Sequence, residues 1–522
     1  MANRDAHASP AWRTAYALVY LACLAGFARG IARFGDRQTG YTSLILFGDH
    51  FAPQRLPQLA EIPIYTYAQR EGYDGQFYAQ MAVAGNPFDP ALARALDAPA
   101  YRERRILLPL VTHLVGLGRP ATILQLYALG NLFCLVLLAA LLARWWFPPT
   151  DLDNLIRWAG IVFSAGMVVS ATRGLTDGPA LLLVALAVRQ LERGRRSGAA
   201  VILALAGLAR ETSLLAAAAF WPPGQTAGAW RRALLMTLIS AGPVVVWMAI
   251  LLSHYGQVGG LRNLAPPFVA LSHKARELCD GFRAQGFDRA ARDEMLVLVS
   301  LAVQIGFLVA RPAPAQPWWR VGASFTLFAA FLGWPVWEGF PSAAARTVLP
   351  LSLAFNRLVP RSRRGLALLL AGNLGLLTVP DLFDSVAPSE QLAFVAGVGA
   401  RFGEGWLAPE QAGRDTWRWA SGPASLALDN PNPGPRTATL DFQLRSVTGR
   451  SVTVRVGAGA ASSFTLAPDR PLSVHLGPLA LPPGPTNVVF STDAPPWLEL
   501  GPERRPLSFS VHRFYATITP GP

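Results

Sequence analysis

The segment Gly72-Tyr73-Asp74-Gly75-Gln76-Phe77-Tyr78 places one carboxylate and one amide among three aromatic rings. Glycine lets a backbone or ligand approach closely, aromatic faces stack on sugar rings, and Gln and Asp hydrogen-bond sugar hydroxyls. We predict Tyr73, Gln76 and Tyr78 as substrate-binding residues and Asp74 as the catalytic one. Asp74 would act as general base toward an acceptor hydroxyl, or ligate a divalent cation that neutralises a phosphate leaving group. The alternative, slightly favoured by the spacing alone, is an aspartate that caps a turn or the helix after it.

A second candidate lies in the segment Ala95 to Arg105, just before the chain enters an apolar stretch. At the depth of lipid headgroups, Arg102 and Arg105 could hold a lipid phosphate through paired N–H donors. The alternative is that these arginines only anchor the next helix at the headgroup level. Pro99 and Tyr101 slightly favour the ligand interpretation.

A third candidate is the adjacent pair Arg210 and Glu211, which interrupts the apolar stretch 199–221. Ionisable side chains are costly inside a bilayer and usually face a polar cavity or a charged partner. Because adjacent side chains point about 100° apart on a helix, we expect the two residues to have separate partners. A purely structural salt bridge between helices remains the alternative.

The fourth candidate is the segment Thr172 to Pro179, which joins two apolar stretches. Arg173 and Asp177 could line the same cavity as Asp74. A Thr-Asp-Gly-Pro sequence is also an ordinary turn and helix start, and that interpretation holds in either case. Histidines in a metal-ligand pattern and a phosphate-binding Gly-Lys-Ser/Thr loop are both absent from the sequence.

The elements that must position these residues are predominantly apolar helices. The chain has 522 residues, of which 52% are hydrophobic and 15% charged, a composition typical of a polytopic membrane protein. The sequence predicts about 10–12 membrane spans, since many apolar stretches approach the length that crosses a bilayer. The candidate stretches are 12–31, 106–118, 121–143, 155–171, 175–190, 199–221, 232–253, 294–310, 320–337, 345–357 and 365–382.

The net charge of +14 comes almost entirely from arginine, and arginines cluster at 189–196 and 357–364, where apolar stretches end. Positive charge in such loops is typical of the cytoplasmic side of a membrane protein and argues against nucleic-acid binding. The resulting topology places loops 36–105 and 254–293 on the outer side. It requires that 106–118 does not cross fully, and that 199–221 turns back near Arg210 or is split.

The C-terminal part has a different pattern, because from about Asp415 apolar and polar residues alternate. Thr437 to Leu444 and Ser451 to Val456 show this period of two, which predicts half-buried strands. Five to seven such strands predict an antiparallel β-sandwich of jelly-roll or immunoglobulin-like type. The predicted domains are therefore a first helix at 1–35, an outer loop at 36–105, a helical membrane domain at 106–385, a linker at 386–414 and an outer β-domain at 415–522.

A long outer loop with an acid after the first helix, many spans, a mid-membrane Arg-Glu pair and an outer β-domain together resemble the GT-C class of membrane glycosyltransferases. Gly72 to Tyr78, Leu96 to Arg102 and Arg105-Ile106-Leu107 resemble, more narrowly, a bacterial family named for cell-surface glycopolymer formation. The resemblance implies transfer of a sugar from a polyprenyl-phosphate donor on the outer leaflet. It implies that an acid of the first outer loop serves as base or metal ligand.

That role falls on Asp74, with Asp49 in Phe47-Gly48-Asp49-His50 as second choice. Many GT-C members carry two acids spaced by one residue in this loop, whereas Asp74-Gly75-Gln76 supplies one. The resemblance thus leaves open a metal-independent enzyme, a divalent-cation site completed by distant acids, or a relative that has lost catalysis.

The sequence therefore predicts transfer of a sugar from a polyprenyl-phosphate donor to a cell-surface glycan or lipid acceptor. The predicted place is the outer face of a bacterial inner membrane, with the β-domain on the periplasmic side and no nucleic-acid partner. The alternatives are a transporter or flippase of lipid-linked saccharides, and a non-catalytic scaffold that binds polymer through its β-domain.

Overall fold

A computed structural model of the chain describes residues 10–35, 39–48, 50–60, 62–67, 71–221, 223–224, 226–257, 259–260, 263–285, 288–338, 342–383, 398–408, 410–412, 415–499 and 504–520. The chain forms two compact units. The helical unit comprises Met1–Arg33 and Phe77–Phe383, and the second unit comprises Phe34–Gln76 and Asp384–Pro522.

The helical part is built from α-helices of very different lengths. They are α1 Pro10–Ala32, α2 Asp74–Ala84, α3 Pro90–Ala95, α4 Pro99–Arg102, α5 Leu107–Val115, α6 Pro120–Trp145, α7 Leu152–Val162, α8 Ala165–Thr172, α9 Asp177–Glu192, α10 Arg196–Ala209, α11 Ala227–Tyr255, α12 Val269–Gln285, α13 Arg289–Ala310, α14 Pro317–Ala330, α15 Trp334–Trp337, α16 Ser342–Thr347, α17 Leu349–Leu358 and α18 Arg363–Gly372. Short 3₁₀-helices occur at Thr42–Ile45, Ala52–Gln54, Pro57–Leu59, Glu211–Phe220, Leu374–Thr378 and Pro380–Phe383.

Several of these helices are long and apolar enough to cross a membrane, which indicates a multi-pass membrane protein. Among the described residues, α1, α6, α11 and α13 each qualify as a continuous span. Two bent pairs, α7 with α8 and α18 with the 3₁₀ segment after it, raise the number to six if each pair is one span. This number is smaller than the predicted 10–12, because stretches such as 320–337 and 345–357 form helices of 14 residues or fewer.

The lengths of the helices agree with both conditions that the predicted topology imposed. Helix α5 has nine residues and is about 14 Å long, less than half the thickness of a bilayer core. The stretch 199–221 is split at Arg210, where α10 ends and a 3₁₀-helix begins at Glu211. The predicted outer loop 254–293 contains the 17-residue helix α12.

The strands comprise one small pair near the N-terminus and a β-rich region near the C-terminus. They are β1 Phe47–Gly48, β2 Thr66–Tyr67, β3 Gly399–Phe402, β4 Glu410–Ala412, β5 Asp415–Trp419, β6 Ala424–Asn430, β7 Arg436–Arg445, β8 Arg450–Val456, β9 Ala461–Leu466, β10 Leu472–Leu481, β11 Gly484–Thr492, β12 Trp497–Leu498, β13 Pro506–Leu507 and β14 Ser510–Pro520. Strands β1 and β2 pair in parallel, whereas every described pair of the C-terminal region is antiparallel.

The C-terminal region contains two five-stranded sheets, in the orders β10-β7-β14-β5-β4 and β3-β6-β11-β8-β9. Alternate residues of β7 and β8 are buried, as the period of two predicted. Side chains from both sheets form a single hydrophobic cluster that includes Phe442, Phe490 and Val511. Strands β3 and β4 lie within the predicted linker 386–414, because short segments of three or four residues carry too little alternation to be recognised.

Candidate functional site

Arg105 is the centre of a buried polar cluster at the turn between α4 and α5. Its Nε and Nη2 donate to the two carboxylate oxygens of Glu211, each at 3.1 Å, in the paired geometry that arginine and carboxylate favour. Its Nη1 donates to the hydroxyl of Tyr78 at 2.6 Å. Tyr78 lies fully buried on α2, and Glu211 begins the 3₁₀-helix after Arg210. The guanidinium of Arg105 therefore connects α2, the α4–α5 turn and this 3₁₀-helix.

Tyr101, on the short helix α4, supplies the aromatic floor of this cluster. Its ring lies beneath the guanidiniums of Arg104 and Arg105, with centroid distances of 4.4 and 5.5 Å. Its hydroxyl accepts a hydrogen bond from Asn263 Nδ2 at 2.9 Å. Arg104 also reaches Glu211, with Nη2 3.8 Å from Oε1. An aromatic face attracts cations, and this attraction is stronger where water is excluded.

Arg210 interrupts the helix and faces different partners from its neighbour Glu211. Its backbone is extended, with φ −157° and ψ 118°, and extended residues direct successive side chains to opposite sides. Nη1 donates to Asp177, Nη2 to Thr347 Oγ1 at 2.8 Å, and Nε to Thr212 Oγ1 at 3.1 Å. The expectation of separate partners for the two residues is confirmed.

Asp177 also forms an ion pair with a second arginine, which lies on another helix. Nη1 of Arg346, on α16, donates to Asp177 Oδ2 at 3.1 Å. Asp177 is also the first residue of α9, where a carboxylate is favoured by the helix dipole, so the predicted helix start is confirmed. The residue is 2% exposed, and its carboxylate thus binds two guanidiniums away from water.

We call Arg104, Arg105, Arg210 and Arg346 the arginine cluster. Each of the four is less than a tenth exposed, and Arg210 interacts electrostatically with Arg105 and Arg346 as well as with Glu211. Among the residues that the structure describes, two carboxylates, those of Glu211 and Asp177, form ion pairs with these four cations. The four guanidiniums are thus held as two pairs, each pair around one carboxylate.

Arg102, a predicted phosphate ligand, is engaged with a carboxylate of its own segment. Its Nε and Nη2 donate to the two oxygens of Asp97 at 2.8 and 2.7 Å, and its guanidinium lies 4.9 Å from the ring centroid of Phe77. This paired contact fixes the conformation of the chain before α4. It explains the presence of Arg102 without a ligand.

Glu103 is a buried acid that the sequence did not single out. It is 0% exposed, its Oε1 accepts from the hydroxyl of Tyr255 at 2.9 Å, and its Oε2 has no hydrogen-bond partner within the described part of the chain. Burial raises the pKa of the Glu103 carboxyl to about 7, and the hydrogen bond from Tyr255 offsets only part of this effect. In the sequence, Glu103 stands next to Arg102, Arg104 and Arg105, a pattern that suggests salt bridges. The pattern does not reveal that the carboxyl of Glu103 bonds to a tyrosine on another helix instead.

The loop before α2 belongs to the second unit and is held by the side chain of Gln76, which bonds to two backbone groups. Gln76 Oε1 accepts from the Gly48 N–H at 3.2 Å, and its Nε2 donates to the Glu71 carbonyl at 2.7 Å. Gly72 has φ +80°, and a Cβ there would lie 2.5 Å from the Gly48 nitrogen, so glycine is required. Gln76 thus fastens two loop segments together, a structural role that the sugar-binding prediction did not include.

The N–H of Tyr73 donates to the Leu46 carbonyl at 3.0 Å, and Asp74 is the first residue of α2. Asp74 thus lies inside the first turn of α2, two residues before the expected helix start at Gln76, and its proposed catalytic role stays a prediction. Asp49, the second choice for that role, lies outside the described residues. Arg173 directly follows α8 at a partly exposed position.

The structure thus brings Tyr78, Arg105 and Glu211 together in one part of the arginine cluster, and Asp177 and Arg210 in the other. Over the described ranges, groups of three or more His, Cys, Asp or Glu side chains that could hold a metal ion are not found. Comparison of the chain with protein-family models and with curated proteins gives no match in either set.

Proposed function

We propose that this protein transfers a sugar from a polyprenyl-phosphate donor to a cell-surface glycan or lipid acceptor, as a GT-C-like glycosyltransferase. The observation that carries the proposal is the arginine cluster. It gathers four buried guanidiniums in two pairs around the carboxylates of Glu211 and Asp177. A lipid-linked phosphate offers an anion that guanidiniums bind well, together with an apolar chain that suits a membrane protein.

Arginine suits this task because its planar fork matches two phosphate oxygens at once. In our proposal the phosphate binds near Arg210 and Arg346, and Arg105 and Arg104 stabilise the charge that develops on the leaving phosphate. Electrostatic stabilisation of this kind is strongest where water is excluded. Asp74 acts as the base that deprotonates the acceptor hydroxyl, as the resemblance to the GT-C class implies.

The location of the reaction is part of the same proposal. We place loop 36–105, loop 254–293 and the C-terminal β-region on the outer, periplasmic side of a bacterial inner membrane. The hydrophobic cluster shared by the two five-stranded sheets supports a β-sandwich, which would present the acceptor or the growing polymer.

A pair of lipids that differ only in the phosphate tests the donor site. The thermal midpoint of the purified full-length protein is measured with polyprenyl phosphate and with the polyprenol of equal length. We expect stabilisation by the phosphate form alone, and its loss in Arg346→Gln. Arg196→Gln, at an exposed position on α10, serves as the matched control and should respond like the wild type. Equal stabilisation by polyprenol and polyprenyl phosphate would refute a phosphate site.

Catalysis is tested separately in cells. Asp74→Asn should insert into the membrane at wild-type amounts but stop glycopolymer production. Normal glycopolymer in that variant would exclude Asp74 as the base, whatever the outcome of the lipid experiment.

A further inference from the structure

Helix α12 has an apolar face that is open to its surroundings. Along Val269–Gln285, the apolar positions Leu271, Ala275, Leu278 and Phe282 recur every three or four residues, which places them on one side of the helix. Phe282 is 52% exposed, and Cys279 beside it is exposed as well. A large aromatic side chain exposed on an ordered helix marks a binding surface when it belongs to a larger apolar patch.

That patch is a groove between α12 and the beginning of α13. Its volume is about 440 Å³, and Arg283 is the one charged residue among those that line it. The lining residues are Leu278, Cys279, Phe282, Arg283, Ala291 and Met295. A space of this size and composition fits a hydrocarbon chain.

The groove continues into the apolar surface of a candidate membrane span. On α13 the exposed residues Met295, Val299, Ala302, Gly306 and Val309 recur at intervals of four and three residues and form a single stripe. Met295 belongs both to this stripe and to the groove. A hydrocarbon chain in contact with the stripe can therefore extend into the groove without leaving an apolar surface.

Helix α12 is held against α13 by Lys274, the single lysine of the chain. The residue is 0% exposed, and its Nζ lies 3.0 Å from Glu294 Oε2 on α13 and 3.3 Å from Glu277 Oε2. Breaking a buried ion pair is strongly unfavourable, so the two walls of the groove are held in a fixed relation. On the same helix, His273 packs against Trp334 with ring centroids 4.3 Å apart.

We infer that this groove binds an acyl chain of a membrane phospholipid, with Arg283 at its rim holding the headgroup phosphate. Arg283 is 78% exposed and pairs with Asp280 at 3.1 Å on the same helix. Exposed pairs of this kind contribute little, so the guanidinium can exchange Asp280 for a phosphate. Helix α12 then lies at the membrane surface with its apolar face in contact with lipid. This inference does not depend on the proposed sugar transfer.

Native Cys279 provides a direct probe of the groove. Both labelled proteins are full-length and carry Cys23→Ala and Cys134→Ala. The first carries a fluorophore on Cys279. The second has Cys279→Ser and Asp280→Cys and carries the fluorophore at position 280. Adjacent residues point about 100° apart on a helix, and position 280 is not among the residues that line the groove. The protein is placed in vesicles of phosphatidylethanolamine and phosphatidylglycerol whose acyl chains carry bromine, which quenches fluorescence on contact.

We expect strong quenching of the probe at position 279 and weak quenching at position 280. Phe282→Ser should reduce the amount of phospholipid that remains bound through purification about tenfold, as loss of one buried aromatic contact predicts. Arg283→Gln should also reduce the retained phospholipid, whichever headgroup it carries, because the phosphate common to both lipids loses its cation.

Equal quenching at both positions would overturn the inference. So would displacement of brominated phospholipid by polyprenyl phosphate, because the groove would then belong to the donor. Disulfide-linked dimers through Cys279, formed in a concentration-dependent manner, would show instead that a second copy covers this face.

Discussion

The arginine cluster of the helical unit and the ion pairs on the C-terminal β-region combine the same residue types under opposite conditions. In the cluster, each carboxylate is shared by two guanidiniums, and all four guanidiniums are nearly inaccessible to water. On the β-region, Arg505 is about one-third exposed and lies between two carboxylates, Glu410 at 2.6 Å and Glu499 at 2.7 Å.

This difference in exposure determines how much the loss of an ion pair lowers the stability of the protein. Around Arg505, hydrogen bonds from its guanidinium lower the pKa of Glu499, but water and salt can replace these partners. In the arginine cluster, water cannot replace a lost carboxylate, and a buried cation without one is strongly destabilising. We therefore place the proposed anion site in the cluster rather than around Arg505.

Asp177→Asn should have the largest effect, because it removes the carboxylate that Arg210 and Arg346 share. We expect a loss of about 3 to 5 kcal/mol in the free energy of unfolding, typical of a broken buried ion pair. Thermal unfolding of the purified protein measures it, with Asp280→Asn at an exposed ion pair as control. A midpoint equal to that of the control would show that Asp177 is not needed to balance the cluster.

Glu103→Gln tests a buried acid whose described hydrogen-bond partner is a tyrosine rather than an arginine. The folded-state pKa of Glu103 is about 7 and its ordinary value is 4.5, so the folded protein retains a proton that the unfolded chain releases. The wild type therefore loses stability as the pH rises from about 4.5 to 7, and the loss is complete above that range.

Glutamine does not titrate, so this part of the pH dependence should disappear in the variant. Glu103→Gln should thus be more stable than the wild type by roughly 3 kcal/mol at about pH 8 and nearly equal to it at about pH 4. Unfolding midpoints across this pH range provide the test. Parallel pH profiles for the two proteins would show that Glu103 is ionised in the folded state.

Glu211→Gln should cost about 2 kcal/mol, less than Asp177→Asn, because the Glu211 side chain is 19% exposed and that of Asp177 is 1% exposed. It also leaves the arginine cluster more positive. We therefore expect polyprenyl phosphate to stabilise this variant more than it stabilises the wild type, as measured by the shift in thermal midpoint. A smaller shift than in the wild type would indicate that Glu211 itself contacts the ligand.

The sequence predicted the elements with a clear period and the residues with an unusual environment. Alternation identified β7 and β8, and the rarity of charge within an apolar stretch identified Arg210 and Glu211. The sequence did not allow the hydrogen-bond partners of Arg210 and Glu211 to be predicted. Glu211 binds Arg105, which lies 106 residues earlier in the chain, and no local pattern encodes a contact of that separation.

Gln76 shows a different limit. Its residue type fits a sugar hydroxyl and a backbone group equally well, and the choice depends on Gly48 and Glu71, whose positions the loop fold decides. Arg102 is similar, because Asp97 lies five residues away and only the turn before α4 brings the two into a paired contact. Residue type thus indicated which interactions a side chain can make. The fold determined which side chains form those interactions within the protein.

Glu410→Gln should have the smallest effect, and it completes the comparison. Arg505 keeps its contact with Glu499, and both side chains of the altered pair remain open to water. We expect a change of less than about 1 kcal/mol, which decreases further as salt is added. Chemical unfolding of the full-length protein at low and high salt measures it, and Asp177→Asn measured alongside should show little salt dependence. A large, salt-independent loss in Glu410→Gln would mean that burial does not separate the two regions, and the argument for an anion site in the arginine cluster would lose its basis.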